Sequence, residues 1–271
     1  MSIAHATRSE LTKQFSTSIW WILALVLAGY VGLTATGLAF TIGAAATGAL
    51  GDPQGIPVGD GAATVLYSLA SSIGYVFPVL LGTLLVTGEF RHKPLTPTFL
   101  ATPRRGRVLG AKILTGAVMG VLYAAVSLIV TVAPSAATLA GFGLETGLAE
   151  SGTWAMLGRI VIAFVLWATV GIGVGLLVRN QVAAVVIVLA FTQFIEPLLR
   201  FGGAFLSQLA DVASYLPGAA SDSLVGASIL TLSTTPVEGG LEWWGGGLVL
   251  LAYGVVLILL GHIVSWRRDV S

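Results

Sequence analysis

Six stretches of this 271-residue chain are almost unbroken runs of apolar residues: Ile19–Ile42, Thr64–Val86, Ile113–Ala137, Ile160–Val178, Val182–Leu199 and Gly247–Ser265. About 20 apolar residues, wound as a helix, cross the ~30 Å hydrocarbon core of a bilayer. A backbone facing lipid must satisfy its own hydrogen bonds, which favours helices over irregular chain. The pattern therefore predicts an all-α integral membrane protein of six spans in a single domain, residues 1–271. Only Arg179–Gln181 separate the fourth run from the fifth, so these two form a tight hairpin.

Between the runs, three polar or broken segments predict further elements. In the leader, residues 1–17, the positions Ile3, Thr7, Leu11 and Phe15 recur four apart. They make a narrow apolar stripe on a polar helix suited to lying along the inner membrane surface. Residues 88–112 form a charged loop. Residues 200–245 are apolar but interrupted by Gly and Pro, and neither half is long enough to span. Two short helices dipping into the outer leaflet, turning at Leu216-Pro217-Gly218, fit them best.

Within the spans, Pro78, Pro134 and Pro197 each remove a backbone donor and are expected to kink their helices. Gly116/Gly120 and Gly171/Gly175 carry the small-xxx-small spacing that lets membrane helices approach closely.

Composition agrees with the pattern. The chain is 56% hydrophobic and 9% charged, where soluble domains average roughly 45–50% and 25%. Its mean hydropathy is +0.94, which would leave large apolar patches in water. The net charge of +1 says little; its distribution says more. With six spans, one side receives Arg8, Lys13, Arg91, Lys93, Arg104, Arg105, Arg107, Lys112, Arg179, Arg267 and Arg268, leaving only Arg159 and Arg200 elsewhere. The loops of the other side hold Asp52, Asp60, Glu145, Glu150, Asp211, Asp222, Glu238 and Glu242. The excess of Lys and Arg predicts that the termini and the 88–112 loop are cytoplasmic. Trp20 and Trp21, Trp243 and Trp244, and Trp266 sit where an interfacial aromatic belt belongs. The polar leader and long first run do not read as a cleavable signal, so that run is expected to stay as an anchor.

Candidate chemistry is sparse. With no cysteine there is no thiolate ligand or nucleophile. The three histidines, His5, His92 and His262, belong to no HExxH, and no GxSxG elbow occurs. "GRVLGAKI" (Gly106–Ile113) lacks the spacing of a phosphate-binding loop, and "GIGVG" (Gly171–Gly175) lies inside a span. The chain is expected not to be an enzyme and to hold no cofactor or metal. One carboxylate lies at depth: Glu196, in "FTQFIEPLLR". Ionisable groups within spans are functional candidates by default. Here Arg200 at i+4 offers a structural partner on the same face. Gln193, Glu196 and Arg200 are the candidate cargo path or gate.

The stretch "GEFRHKPLTPTFLATPRRGRVLGAK" (Gly88–Lys112) carries a Glu-x-Arg entry at Glu89 and Arg91, a "TPTFLATPRR" middle and an "RVLGAK" exit into a span. With the "SELTKQFSTSIWW" leader and the six-span plan, it resembles the permease subunits of type-two ATP-binding-cassette (ABC) exporters. One departure is Lys93-Pro94, where many relatives carry Gly-Thr. The resemblance implies a multi-pass subunit of the plasma membrane, embedded in the lipid bilayer and paired with a second permease copy or a related permease. It implies two cytoplasmic ABC ATPase subunits holding the ATP and Mg, with no nucleic acid partner. The loop would be a coupling helix, with Glu89, Arg91, Leu95, Phe99, Leu100, Arg104 and Arg105 facing the ATPase. Cargo would be hydrophobic or amphipathic and move outward. A secondary transporter and a non-transporting membrane scaffold or sensor are the alternatives; the former usually needs buried coupling residues and a repeated architecture.

Overall fold

The computed structural model describes residues 3–49, 61–92, 105–203, 212–228 and 241–266. Every regular element among them is helical. In chain order these are α1 (Ile3–Ser16), α2 (Ile19–Ala46), α3 (Ala62–Ser72), α4 (Val76–His92), α5 (Arg105–Gly141), α6 (Ser151–Leu177) and α7 (Gln181–Ala190). A π-helical turn (Phe191–Ile195) leads into α8 (Glu196–Gly203). Then come α9 (Pro217–Val225), α10 (Trp243–Gly261) and a second π turn (His262–Trp266).

Six helical segments are long and apolar enough to cross a membrane: Ile19–Ala46, Ala62–Glu89, Gly106–Gly141, Ser151–Leu177, Gln181–Gly203 and Trp243–Val264. They match the six apolar runs and mark a multi-pass membrane protein. Because consecutive spans cross in opposite directions, α1, the end of α4, the start of α5 and the end of α10 share one end of the bundle. This is the basic end.

Packing sorts the spans into inner and outer. The second and fourth spans are mostly buried, while the first, fifth and sixth are only 22% buried. Apolar side chains gain nothing by leaving lipid for each other, so small residues must decide which faces meet. On α2 the inward stripe is Leu27, Val31, Ala35, Ala39 and Ile42; the bulky Leu25, Leu33 and Phe40 point outward. The expected close approaches occur. A Cβ on Gly171 would lie 2.1 Å from the carbonyl oxygen of Val79, and one on Gly175 would lie 2.7 Å from that of Thr83. Gly116 and Gly120 meet α6 in the same way, at Ile172 and at Phe164–Val165. Thr83 Oγ1 uses the proximity to donate to Gly171 O at 3.0 Å.

The prolines act differently from a uniform kink. Pro134 is carried inside the 37-residue α5. Pro78 falls in the first turn of α4, where a missing N–H is tolerated; the break lies just before it, at residues 73–75. A Cβ on Gly74 would lie 2.1 Å from Ala70 O, so only glycine fits that corner. Pro197 cannot donate to the carbonyl of Gln193, and the ladder just before it widens: the N–H of Glu196 bonds Phe191 O, five residues back.

One expectation needs correction. The charged loop is shorter than 88–112, because α4 continues to His92 and α5 begins at Arg105. The leader is helical as expected; Glu10 is its one buried residue, flanked by half-buried Thr7 and Leu11, while Ile3 and Phe15 at the two ends of the apolar stripe are exposed.

Candidate functional site

At the basic end, three helices bring four charges together. Lys112, on α5, is fully buried. Its ammonium donates to Glu10 Oε2 at 2.8 Å and to Leu85 O at 3.3 Å. It also lies 3.0 Å from Glu89 Oε2, an ion pair without an aligned hydrogen bond. Lys13, half-exposed on α1, donates to Glu10 Oε1 at 2.7 Å and Glu89 Oε1 at 3.4 Å. Two acids and two lysines thus neutralise one another.

Moving such ions out of water costs several kcal/mol each, recovered only if partners and hydrogen bonds are good. Burial alone would raise the Glu10 carboxyl pKa; Lys112 and Lys13 more than offset this and hold it below its ordinary value. Burial would likewise lower that of Lys13, but Glu10 and Glu89 raise it instead. The consequence is mechanical. Glu89 is four residues before the loop at 93–104 and Lys112 is eight after it, so both roots of that loop are bolted to each other and to α1.

Of the residues expected to face an ATPase, Glu89 belongs to this cluster. Arg91 lies in the last turn of α4 and Arg105 opens α5, their side chains lying outside the described residues. Leu95, Phe99, Leu100 and Arg104 fall wholly outside them. Sequence reasoning missed Glu10, Lys13 and Lys112 as partners. There was a signal: Glu10 and Glu89 are among the few acids on a side otherwise given to cations.

Towards the opposite end a second polar cluster joins the fifth span to α9. Glu196 is 1% exposed, and its Oε1 accepts the N–H of Gly218 in the first turn of α9. The N-terminus of a helix carries partial positive charge, which a carboxylate complements. Arg200 Nη2 donates to Asp222 Oδ2 at 2.6 Å, and Ser228 Oγ to the same oxygen at 2.8 Å. The expected Glu196–Arg200 pair is therefore replaced by two separate tertiary contacts. Each side chain finds a better partner on α9 than along its own helix. Gln193 is exposed on the π turn, its amide nitrogen 3.4 Å from Thr192 Oγ1.

Behind these contacts lies an ordered polar layer. Tyr75 stacks on Trp167 with ring centroids 4.5 Å apart. Tyr75 Oη donates to Thr192 O, and Trp167 Nε1 donates to Ser221 Oγ on α9. Helix α9 begins at Pro217, as the Leu216-Pro217-Gly218 turn predicted, with the proline in its first turn.

Among the described residues no group of three or more His, Asp or Glu side chains is placed to hold a metal ion. No protein-family model matches the chain, and none of the curated proteins is similar to it.

Proposed function

We propose that this chain is the membrane-spanning permease subunit of an ABC exporter, acting with a second permease copy and two separate cytoplasmic ATPases. On this reading ATP and Mg are bound by the partner, and the chain itself catalyses nothing. Its termini and the 93–104 loop face the cytoplasm of a cell bounded by the plasma membrane, and the cargo is a hydrophobic or amphipathic molecule moved outward.

One observation carries the reading. The segment that bears Leu95, Phe99, Leu100 and the cations Lys93 and Arg104 is flanked by helix ends locked by the Glu10–Lys13–Glu89–Lys112 cluster. A motor pushing on a slack loop would move only the loop. Pushing on one whose roots are ion-paired to α1 and continuous with α4 and α5 moves two spans and an N-terminal helix together. The sequence of the loop fits docking: apolar Phe99 and Leu100 suit a groove, and the flanking cations suit an acidic rim and an anionic leaflet. Pro94 and Pro97 suit the first turn of a short helix that Pro103 would end.

The test is co-purification of a stoichiometric ATPase with detergent-extracted protein, read by ATP hydrolysis and by transport. Buried interface anchors cost about 2 kcal/mol or more when truncated, while rim charges mostly tune association. Leu100→Asp should abolish ATPase association and leave membrane insertion intact. Arg104→Ala should weaken association slightly and chiefly at low salt, because exposed charges are screened over ~10 Å at 0.1 M. Parent-like ATPase binding and transport by Leu100→Asp would refute docking through this loop. A stable monomer with no ATPase would favour a scaffold.

A further inference from the structure

Helix α1 runs across the bundle. A Cβ on Gly110 of α5 would lie 3.2 Å from Ile3 Cδ1, and Glu10 reaches Lys112, two positions further along α5. Seven positions of α1, from Ile3 to Glu10, pass while α5 advances by those two. The helix then turns straight into the first span. At that corner Phe15 meets Trp20 edge to face, with ring centroids 5.1 Å apart, and its carbonyl accepts the indole N–H. A helix lying across the spans where they begin sits at the level of the lipid headgroups.

The two long sides of α1 differ. The side turned to the bundle carries buried Glu10 with half-buried Ala6, Thr7, Leu11 and Gln14. The opposite side carries His5, Arg8, Ser9, Thr12 and Ser16, all exposed, at the three- and four-residue spacing of one helix face. With half-exposed Lys13 they line an open depression of about 440 Å³. All of these lining residues belong to α1, so among the described residues no other element covers it.

Its chemistry is one-sided. Glu10 is the one acid of α1 and is turned to Lys112, so no carboxylate of the helix faces the depression. The hydroxyls of Thr12 and Ser16 donate to the carbonyls of Arg8 and Lys13. These short side chains form a floor, and the long basic ones rise at its edges. Lys13 gives two of its three ammonium protons to Glu10 and Glu89 and keeps a third. A guanidinium fork beside an ammonium suits a phosphate group.

We propose that this outward face of α1 is a headgroup site for an anionic phospholipid, with Arg8 as the principal phosphate contact and Lys13 adding charge at its edge. Lipid is the neighbour that a helix at headgroup depth always has, and an anionic headgroup complements a basic face. The inference goes beyond the transport reading and stands whether or not an ATPase partner is found.

The full chain, purified in detergent, is titrated with phosphatidylglycerol, phosphatidylcholine or inorganic phosphate, and bound molecules are counted by native mass spectrometry. Phosphatidylglycerol should bind in preference to phosphatidylcholine. Arg8→Gln should weaken its binding about fivefold, the worth of one cation near an anionic lipid surface. Arg8→Lys should keep most of the affinity, because the charge remains. Thr12→Asp, which puts a carboxylate in the floor, should weaken binding at least as much as Arg8→Gln. Arg159→Gln removes a cation at the opposite end of the bundle and should leave binding unchanged.

Equal retention of the two lipids overturns the proposal. So does parent-like binding by both Arg8→Gln and Thr12→Asp, or an equal loss in Arg159→Gln, which would reduce the effect to net charge. Displacement of phosphatidylglycerol by inorganic phosphate at a similar concentration would make the depression a site for the free ion and overturn the lipid assignment.

Discussion

Lys112 is a lysine with no water around it, held by Glu10, Glu89 and a backbone carbonyl. Removing one partner of a buried ionic group leaves the others uncompensated, at a cost of about 3–5 kcal/mol. Lys112→Met should therefore lower the melting temperature of the purified protein markedly. Adding Glu10→Gln and Glu89→Gln should recover much of the loss, since the unpaired charges are then gone. No recovery in the triple variant would mean that Lys112 acts through shape and not charge.

The same cluster sets a pH window. The folded-state pKa of Glu10 lies below its ordinary 4.5, so its contribution is complete above that value and is lost as pH falls through the depressed one. For Lys13 the folded value lies above its ordinary 10.5, so its contribution is complete below 10.5 and lost as pH rises further. A spin label at Ser9→Cys, on the exposed side of α1, should report a docked helix across neutral pH and release only in acid or strong alkali. A mobility transition near neutrality would contradict this assignment.

At the scale of elements, the spans were legible because long apolar runs admit one solution in lipid. Helix α1 was legible from its periodicity, but the face it buries was not. That face is chosen by Lys112, 102 positions away in sequence, and no local pattern carries such a contact. The break before α4 was hidden because Gly74 sits among apolar neighbours and the nearby proline drew attention one turn too late. Glu196 shows the limit of the i, i+4 rule: a neighbour on the same helix lost to a helix start and an aspartate brought in by folding. The glycine spacing, in contrast, transferred directly into contact. Gly171→Val would drive a side chain into the Val79 backbone. Overpacking typically costs about 1–3 kcal/mol, and backbone against backbone leaves little room to relax. The variant should melt well below the parent; an unchanged melting temperature would mean that α4 and α6 are farther apart than described.

For the molecule as a whole, two polar assemblies lie towards opposite ends of an otherwise apolar bundle. One ties α1 to the ends of α4 and α5, and the other ties the fifth span to a short helix. The cluster around Lys112 also imposes an order on biosynthesis. A chain is made from its N-terminus, so Glu10, Lys13 and Glu89 all emerge before their central cation does. Until residue 112 follows, two carboxylates share a single lysine, and α1 has no reason to leave water. Tyr123, which donates to Trp20 O at 2.6 Å, comes later still. Helix α1 is thus made well before the residue that fastens it. It must wait at the membrane surface for the third span to arrive and fasten it.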